Sequence, residues 1–111
     1  AHGTGLAILT PQWMRFVLKK NPETVVPRFA HYAKAVWGQE TDNDMELAEK
    51  AIKMTETFLL SLPIEHSLKE LGIGTEHFED MAEHCAAHEG VQYAWIPLAK
   101  EDIVEILNMG L

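Results

Sequence analysis

The residues in this chain that could do chemistry are six histidines, one cysteine and several acidic pairs. His84 and His88 lie four apart with Asp80 and Glu83 nearby. On a helix that spacing turns two imidazoles the same way, as a transition-metal chelate requires. The residues between them are Cys85, Ala86 and Ala87, so the general base of an H-E-x-x-H motif is missing. Their phase sets both rings on the flank of an apolar face, where a solvated helix edge is the stronger reading. Cys85 falls on the inward phase of the same helix, which predicts a buried, inert thiol rather than a nucleophile. His31, His66 and His77 have no partner motif and read as surface or capping residues. The pairs Glu79/Asp80 and Glu101/Asp102 read as solvated or dipole-facing charges. His2 differs in its context. It precedes Gly3, which permits close backbone approach, and then a strongly apolar helix. A ligand at the edge of a rigid helix is sound metal-site construction, although on spacing alone a ligand role for His2 is the weaker of the two readings.

Other chemistries are excluded by pattern. Gly3-Thr4-Gly5 lacks a third glycine at the distance a phosphate loop needs, and no strand precedes it. No nucleophile elbow and no CxxC pair is present. The chain carries 9 basic residues against 17 acidic, a formal net charge of -8. That balance argues against nucleic acid, whose binding needs clustered Lys and Arg, and against an anionic membrane surface. The apolar runs are too short to span a bilayer, and no signal-peptide pattern is seen. A single cysteine excludes an internal disulfide and fits a reducing compartment. The expectation is a soluble, cytoplasmic protein.

The elements that must position these residues are helices. With 111 residues, 47% of them hydrophobic and 23% charged, the chain suggests one globular domain with a core of modest size. Leu6, Leu9, Trp13 and Phe16/Val17 recur at helical spacing. Pro11 within that run implies either a kink or a second helix capped by Thr10. Asn21-Pro22-Glu23 reads as a start, and Pro27 lets a helix run from about Val26 to Trp37 with Gly38 as its C-cap. A loop follows to Asp44, which caps a long helix whose stripe is Leu47, Ala51, Met54, Phe58 and Leu62, ended by Pro63. Ser67-Leu68-Lys69-Glu70 has capping-box form and predicts a short helix stopped by Gly72. Thr75 is expected to cap the next helix, with Phe78, Met81, Ala82 and Cys85 inward and Gly90 at its end. Tyr93 to Leu98 reads as extended. The last helix spans about Lys100 to Met109 with Ile103, Ile106 and Leu107 inward. The predicted fold is an all-α bundle of about five to seven helices.

The ordered motifs resemble a known family. His2-Gly3-x-x-Leu6-Ala7-Ile8-x-x-Pro11, with Trp13-Met14, is similar to the iron-containing alcohol dehydrogenases, most of all their butanol-dehydrogenase-like, NADPH-using branch. The likeness continues through Phe29-Ala30-x-Tyr32-Ala33-x-x-Val36-Trp37-Gly38, Phe58, Leu71-Gly72-Ile73 and Met81-Ala82-Glu83. It ends in Pro97-Leu98-x-Lys100-Glu101-Asp102-Ile103 and Met109-Gly110-Leu111, so it covers essentially the whole chain. The resemblance implies the C-terminal all-helical domain of a larger homo-oligomeric enzyme that interconverts small alcohols and aldehydes. In such an enzyme NAD(P) is held by an N-terminal α/β domain, and iron or zinc sits on one Asp and three His.

Under that resemblance His2 is the last metal histidine. The Asp, the other two histidines and the nucleotide-binding domain would lie upstream of Ala1. The 111 residues alone are then expected to be inactive and to hold neither metal nor nucleotide, because a catalytic metal needs three or more protein ligands. Ala99 stands where the family more often has Ser or Thr as N-cap. Two rival expectations are a free-standing, non-catalytic helical interaction module and an independent metal-binding bundle using His84 and His88.

Overall fold

The computed structural model describes residues 2–111, which fold as six α-helices and one 3-10 turn, with no strand among the described residues. The helices are α1 (His2–Lys20), α2 (Pro22–Trp37), α3 (Asp44–Leu60), α4 (Phe78–Ala86), α5 (Glu89–Gln92) and α6 (Lys100–Met109). The expected all-α fold of five to seven helices is what is observed. The chain divides into two compact units, one of Trp13–Ile64 and one of Ala1–Gln12 with Glu65–Leu111.

Helix α1 runs on through Pro11, and no second helix begins at Thr10. Thr10 Oγ1 instead donates to the Leu6 carbonyl at 2.6 Å. Its buried stripe is Ile8, Pro11, Met14 and Val17/Leu18. Of the expected stripe only Val17 is fully buried, while Leu6 is 53% exposed. The helix is apolar on so many sides that several stripes satisfy the 3.6 period, and packing selects among them.

In the unit Trp13–Ile64, α2 and α3 pack along their length. Val25, Phe29, Ala30 and Ala33 are the buried residues of α2, and Leu47, Ala48, Ala51 and Ile52 those of α3. Pro27 lies inside α2 and does not start a separate helix. The buried residues on both sides of it keep the helix continuous despite the missing N–H. Gly38 closes α2 in the left-handed region (φ 63), and its N–H donates to the Ala33 carbonyl. Asn43, and not Asp44, caps α3: it is extended, and its Oδ1 accepts from the Glu46 N–H at 3.0 Å. Asp44 lies in the first turn, where its charge complements the helix dipole. The expected α3 stripe fades toward its end, with Phe58 53% exposed and Leu62 beyond the helix.

The other unit is held by an aliphatic core with one aromatic ring: Ile8, Leu68, Phe78, Ala82, Ile103 and Leu107. Ser67–Glu70 makes one bond of a capping box, Glu70 N–H to Ser67 Oγ (3.2 Å), while the Glu70 carboxylate accepts from the N–H of His66, one residue before Ser67 (2.6 Å). No helix follows. The chain makes a turn there and leaves it at Gly72 with φ 80. Leu68 N–H donates instead to the Gly110 carbonyl at 2.8 Å. Gly110 is packed so closely that a Cβ would lie 2.9 Å from Leu9 Cδ2.

Thr75 opens the 3-10 turn that leads into α4. Phe78 and Ala82 are buried as expected, but Met81 is 39% exposed and Cys85 is exposed. Helix α4 also ends at Ala86 rather than near Gly90, which lies inside the short α5. Helix α6 matches expectation, with Ile103, Ile106 and Leu107 buried. Its N-cap residue Ala99 offers no side-chain acceptor, while Asp102 Oδ2 accepts from the Ala99 N–H at 2.9 Å.

Candidate functional site

His2 is the first residue of α1 and is exposed. The helix behind it is anchored one and a half turns on by Ile8, only 5% exposed and part of the Phe78 core. The imidazole therefore projects from a fixed backbone, with an uncrowded neighbour: a Cβ at Gly3 would meet nothing within 4 Å. The close backbone approach expected at Gly3 is thus not made by any described residue. Among the described residues no group of three or more His, Cys, Asp or Glu is arranged to hold a metal ion. A metal held at His2 would need further ligands from outside this set, because a catalytic metal takes three or more protein ligands.

The His84/His88 pair does not form the chelate its spacing permits. Because α4 stops at Ala86, only His84 is on that helix, and the four-residue register is lost. His84 Nδ1 lies 3.2 Å from the Asp80 carbonyl, to which it donates. His88 becomes the N-cap of α5, its Nδ1 accepting from the Gly90 N–H at 3.2 Å. Each ring thus spends one nitrogen on the backbone. Cys85, expected in the core, is an exposed free thiol because the short α4 buries only Phe78 and Ala82.

Polar order is concentrated in the unit Trp13–Ile64, where sequence reasoning singled out no site. Arg15 grips Glu56 with both terminal nitrogens, Nη1 to Oε2 at 2.8 Å and Nη2 to Oε1. The hydrogen bond to Arg15 holds the Glu56 carboxyl below its ordinary range, and the same bond raises Arg15. Thr55 Oγ1 donates to the Ala51 carbonyl at 2.7 Å, so Tyr32, 2.8 Å away, donates its hydroxyl proton to Thr55. Trp37 stands edge-on to Tyr32 (centroids 6.4 Å) and tilted on Phe58 (6.3 Å). Its Nε1–H is buried with no acceptor among the described residues. Trp13 packs on Phe29 at 6.3 Å, in line with a packing role. Residues 41 apart, such as Arg15 and Glu56, carry no periodic signal that could have announced their pairing.

The described residues thus assemble an all-helical chain with no self-contained metal centre among them. Comparison with known proteins gives the family. The profile of the Fe-containing alcohol dehydrogenase family, C-terminal, matches residues 1–111. NADH-dependent butanol dehydrogenase A of Clostridium acetobutylicum is 40% identical over 109 residues, which are 96% of this chain and 27% of that protein. NADP-dependent alcohol dehydrogenase 3 of Entamoeba histolytica is 33% identical over 98 residues, 84% of this chain and 23% of that protein. The crystal structure of NADH-dependent butanol dehydrogenase A from Thermotoga maritima matches with a TM-score of 0.77 and 31% identity, over 99% of this chain and 28% of that one. The chain thus spans about a quarter of the length of these relatives. It belongs to the iron-containing alcohol dehydrogenase family, of which it is the C-terminal, all-helical part.

Proposed function

We propose that this chain is the C-terminal domain of a metal-dependent, NAD(P)-linked alcohol dehydrogenase that interconverts small alcohols and aldehydes, with His2 as one metal ligand. The observation that carries this reading is the match over residues 1–111 to the family's C-terminal part. The exposed place of His2 at the head of α1 supports it further. In this reading the Asp, two further histidines and the nucleotide-binding domain belong to the rest of a longer, cytoplasmic, homo-oligomeric polypeptide. The relatives' names include both NADH- and NADP-dependent enzymes, so the nicotinamide partner is given as NAD(P). The metal is iron or zinc, and when bound it supplies Lewis-acid polarisation of the substrate oxygen.

What this chain contributes is position. The imidazole of His2 offers a nitrogen ligand, and burial of Ile8, Met14 and Val17 along α1 keeps its backbone from drifting. Ligand geometry held by packed secondary structure is what a catalytic metal requires. The helices would also wall one side of the substrate cleft and limit water. The test is His2→Ala in the full-length protein that carries this chain. Bound metal and alcohol-dependent nicotinamide reduction should both be lost, while the helical circular dichroism is kept. Retention of stoichiometric metal together with activity would overturn the assignment of His2.

A further inference from the structure

An open groove of about 680 Å³ lies within the unit Trp13–Ile64, between the second half of α1, the start of α2 and one face of α3. Its volume is that of a small-molecule site. Leu18, Pro22, Met45 and Ile52 supply an apolar lining. Leu18 and Ile52 are buried at its base, and Met45 is 41% exposed. Arg15 and Glu56, also on the lining, satisfy each other and leave no net charge there. The remaining ionic groups are Lys19 and Lys53 against Glu49, none of them in an ion pair among the described residues. The chain as a whole carries 17 acidic residues against 9 basic. The groove therefore reverses the sign of the chain that holds it, at the place where apolar side chains are open to a ligand.

Two unpaired ammonium groups beside an aliphatic lining are complementary to a molecule with an anionic head and an alkyl tail. We propose that this groove binds an alkyl carboxylate, with the carboxylate at Lys19 and Lys53 and the tail along Leu18, Pro22, Met45 and Ile52. Flexible lysines suit a single carboxylate as point charges, with Arg15 already committed to Glu56. Glu49 sets the polarity of the site by repelling an anion from its own wall. The proposal does not depend on the metal or on His2, since every residue invoked lies between positions 15 and 56.

The test is titration calorimetry on the full-length protein that carries this chain, with decanoate as the probe and 1-decanol and decylamine as controls. Decanoate should bind saturably and more tightly than either control, with affinity falling as salt is raised. The double variant Lys19→Gln/Lys53→Gln should weaken decanoate by about tenfold or more, since it removes two charge-assisted contacts, and should leave decanol unchanged. Glu49→Gln should tighten decanoate. Both substitutions fall on exposed side chains, so loss of fold does not obscure the result. The proposal is overturned if decylamine binds as tightly as decanoate, if the lysine pair is irrelevant to affinity, or if Glu49→Gln weakens binding.

Discussion

The two units of this molecule reach stability by different means. Trp13–Ile64 is built on two long helices and tied by directional contacts: the Arg15–Glu56 fork, the Tyr32–Thr55–Ala51 relay and the rings of Tyr32, Trp37 and Phe58. The unit that carries His2 has short helices and turns, gathered on Phe78 and aliphatic neighbours. Its polar contacts are mostly backbone caps and turn bonds, such as Leu68 to Gly110. Both have buried apolar cores, and the first adds side-chain pairs between residues far apart in sequence. His2, the ligand proposed above, sits in the second, at an exposed helix start whose hydrophobic base is Ile8.

The largest expected effect falls on the unit that depends on burial. Phe78, 2% exposed, is the one aromatic ring of its core, and Phe78→Ala should cost about 3–5 kcal/mol in urea unfolding, through lost transfer energy and an unfilled cavity. A cost under about 1 kcal/mol would show that this core is not what holds the unit.

A smaller effect is expected from the directional contacts of the other unit. Arg15→Gln should cost up to about 1 kcal/mol, because the side chains of Arg15 and Glu56 are 38% and 28% exposed and solvent screens the pair. Its pH dependence is the sharper signature. The folded-state Glu56 carboxyl lies below its ordinary 4.5, so the pair stabilises above that pH and loses its contribution as pH falls through the lower, folded-state value. Thermal melts of the two proteins should differ at pH 7, and the difference should shrink as the pH is lowered below 4.5. A constant difference would assign the effect to packing instead. The smallest change is a gain. Ala99→Ser supplies α6 with the missing N-cap acceptor and should add about 1 kcal/mol or less, measured by the same melts.

Much of the helical layout is legible from local chemistry. Gly38 and the 100–109 helix with its inward Ile103, Ile106 and Leu107 follow from capping rules and the 3.6 period. Prolines misled the boundaries at positions 11 and 27, since packing on both sides outweighs one lost backbone bond. The Ser67–Glu70 segment caps only a single turn, because Gly72 (φ 80) reverses the chain and the Ile73 N–H closes on the Leu68 carbonyl at 2.9 Å. At the candidate sites, His2 stands out only through the family resemblance of the motif that follows it, and its ligand role is part of the proposal above. The failure of the His84/His88 pair was not legible, as it turns on a helix ending at Ala86, two residues short of His88.

The sequence by itself determined the all-α class, the starts of α3 and α6 to within a residue, and the family, because caps, periodicity and ordered motifs are local or collinear signals. Tertiary structure alone decided which stripe of α1 is buried, that Cys85 faces solvent, and that Arg15 meets Glu56 across forty-one positions. Those outcomes rest on which surfaces find partners in space. An apolar helix with several equivalent faces, or a charge whose partner lies two helices away, leaves no periodic trace in the chain.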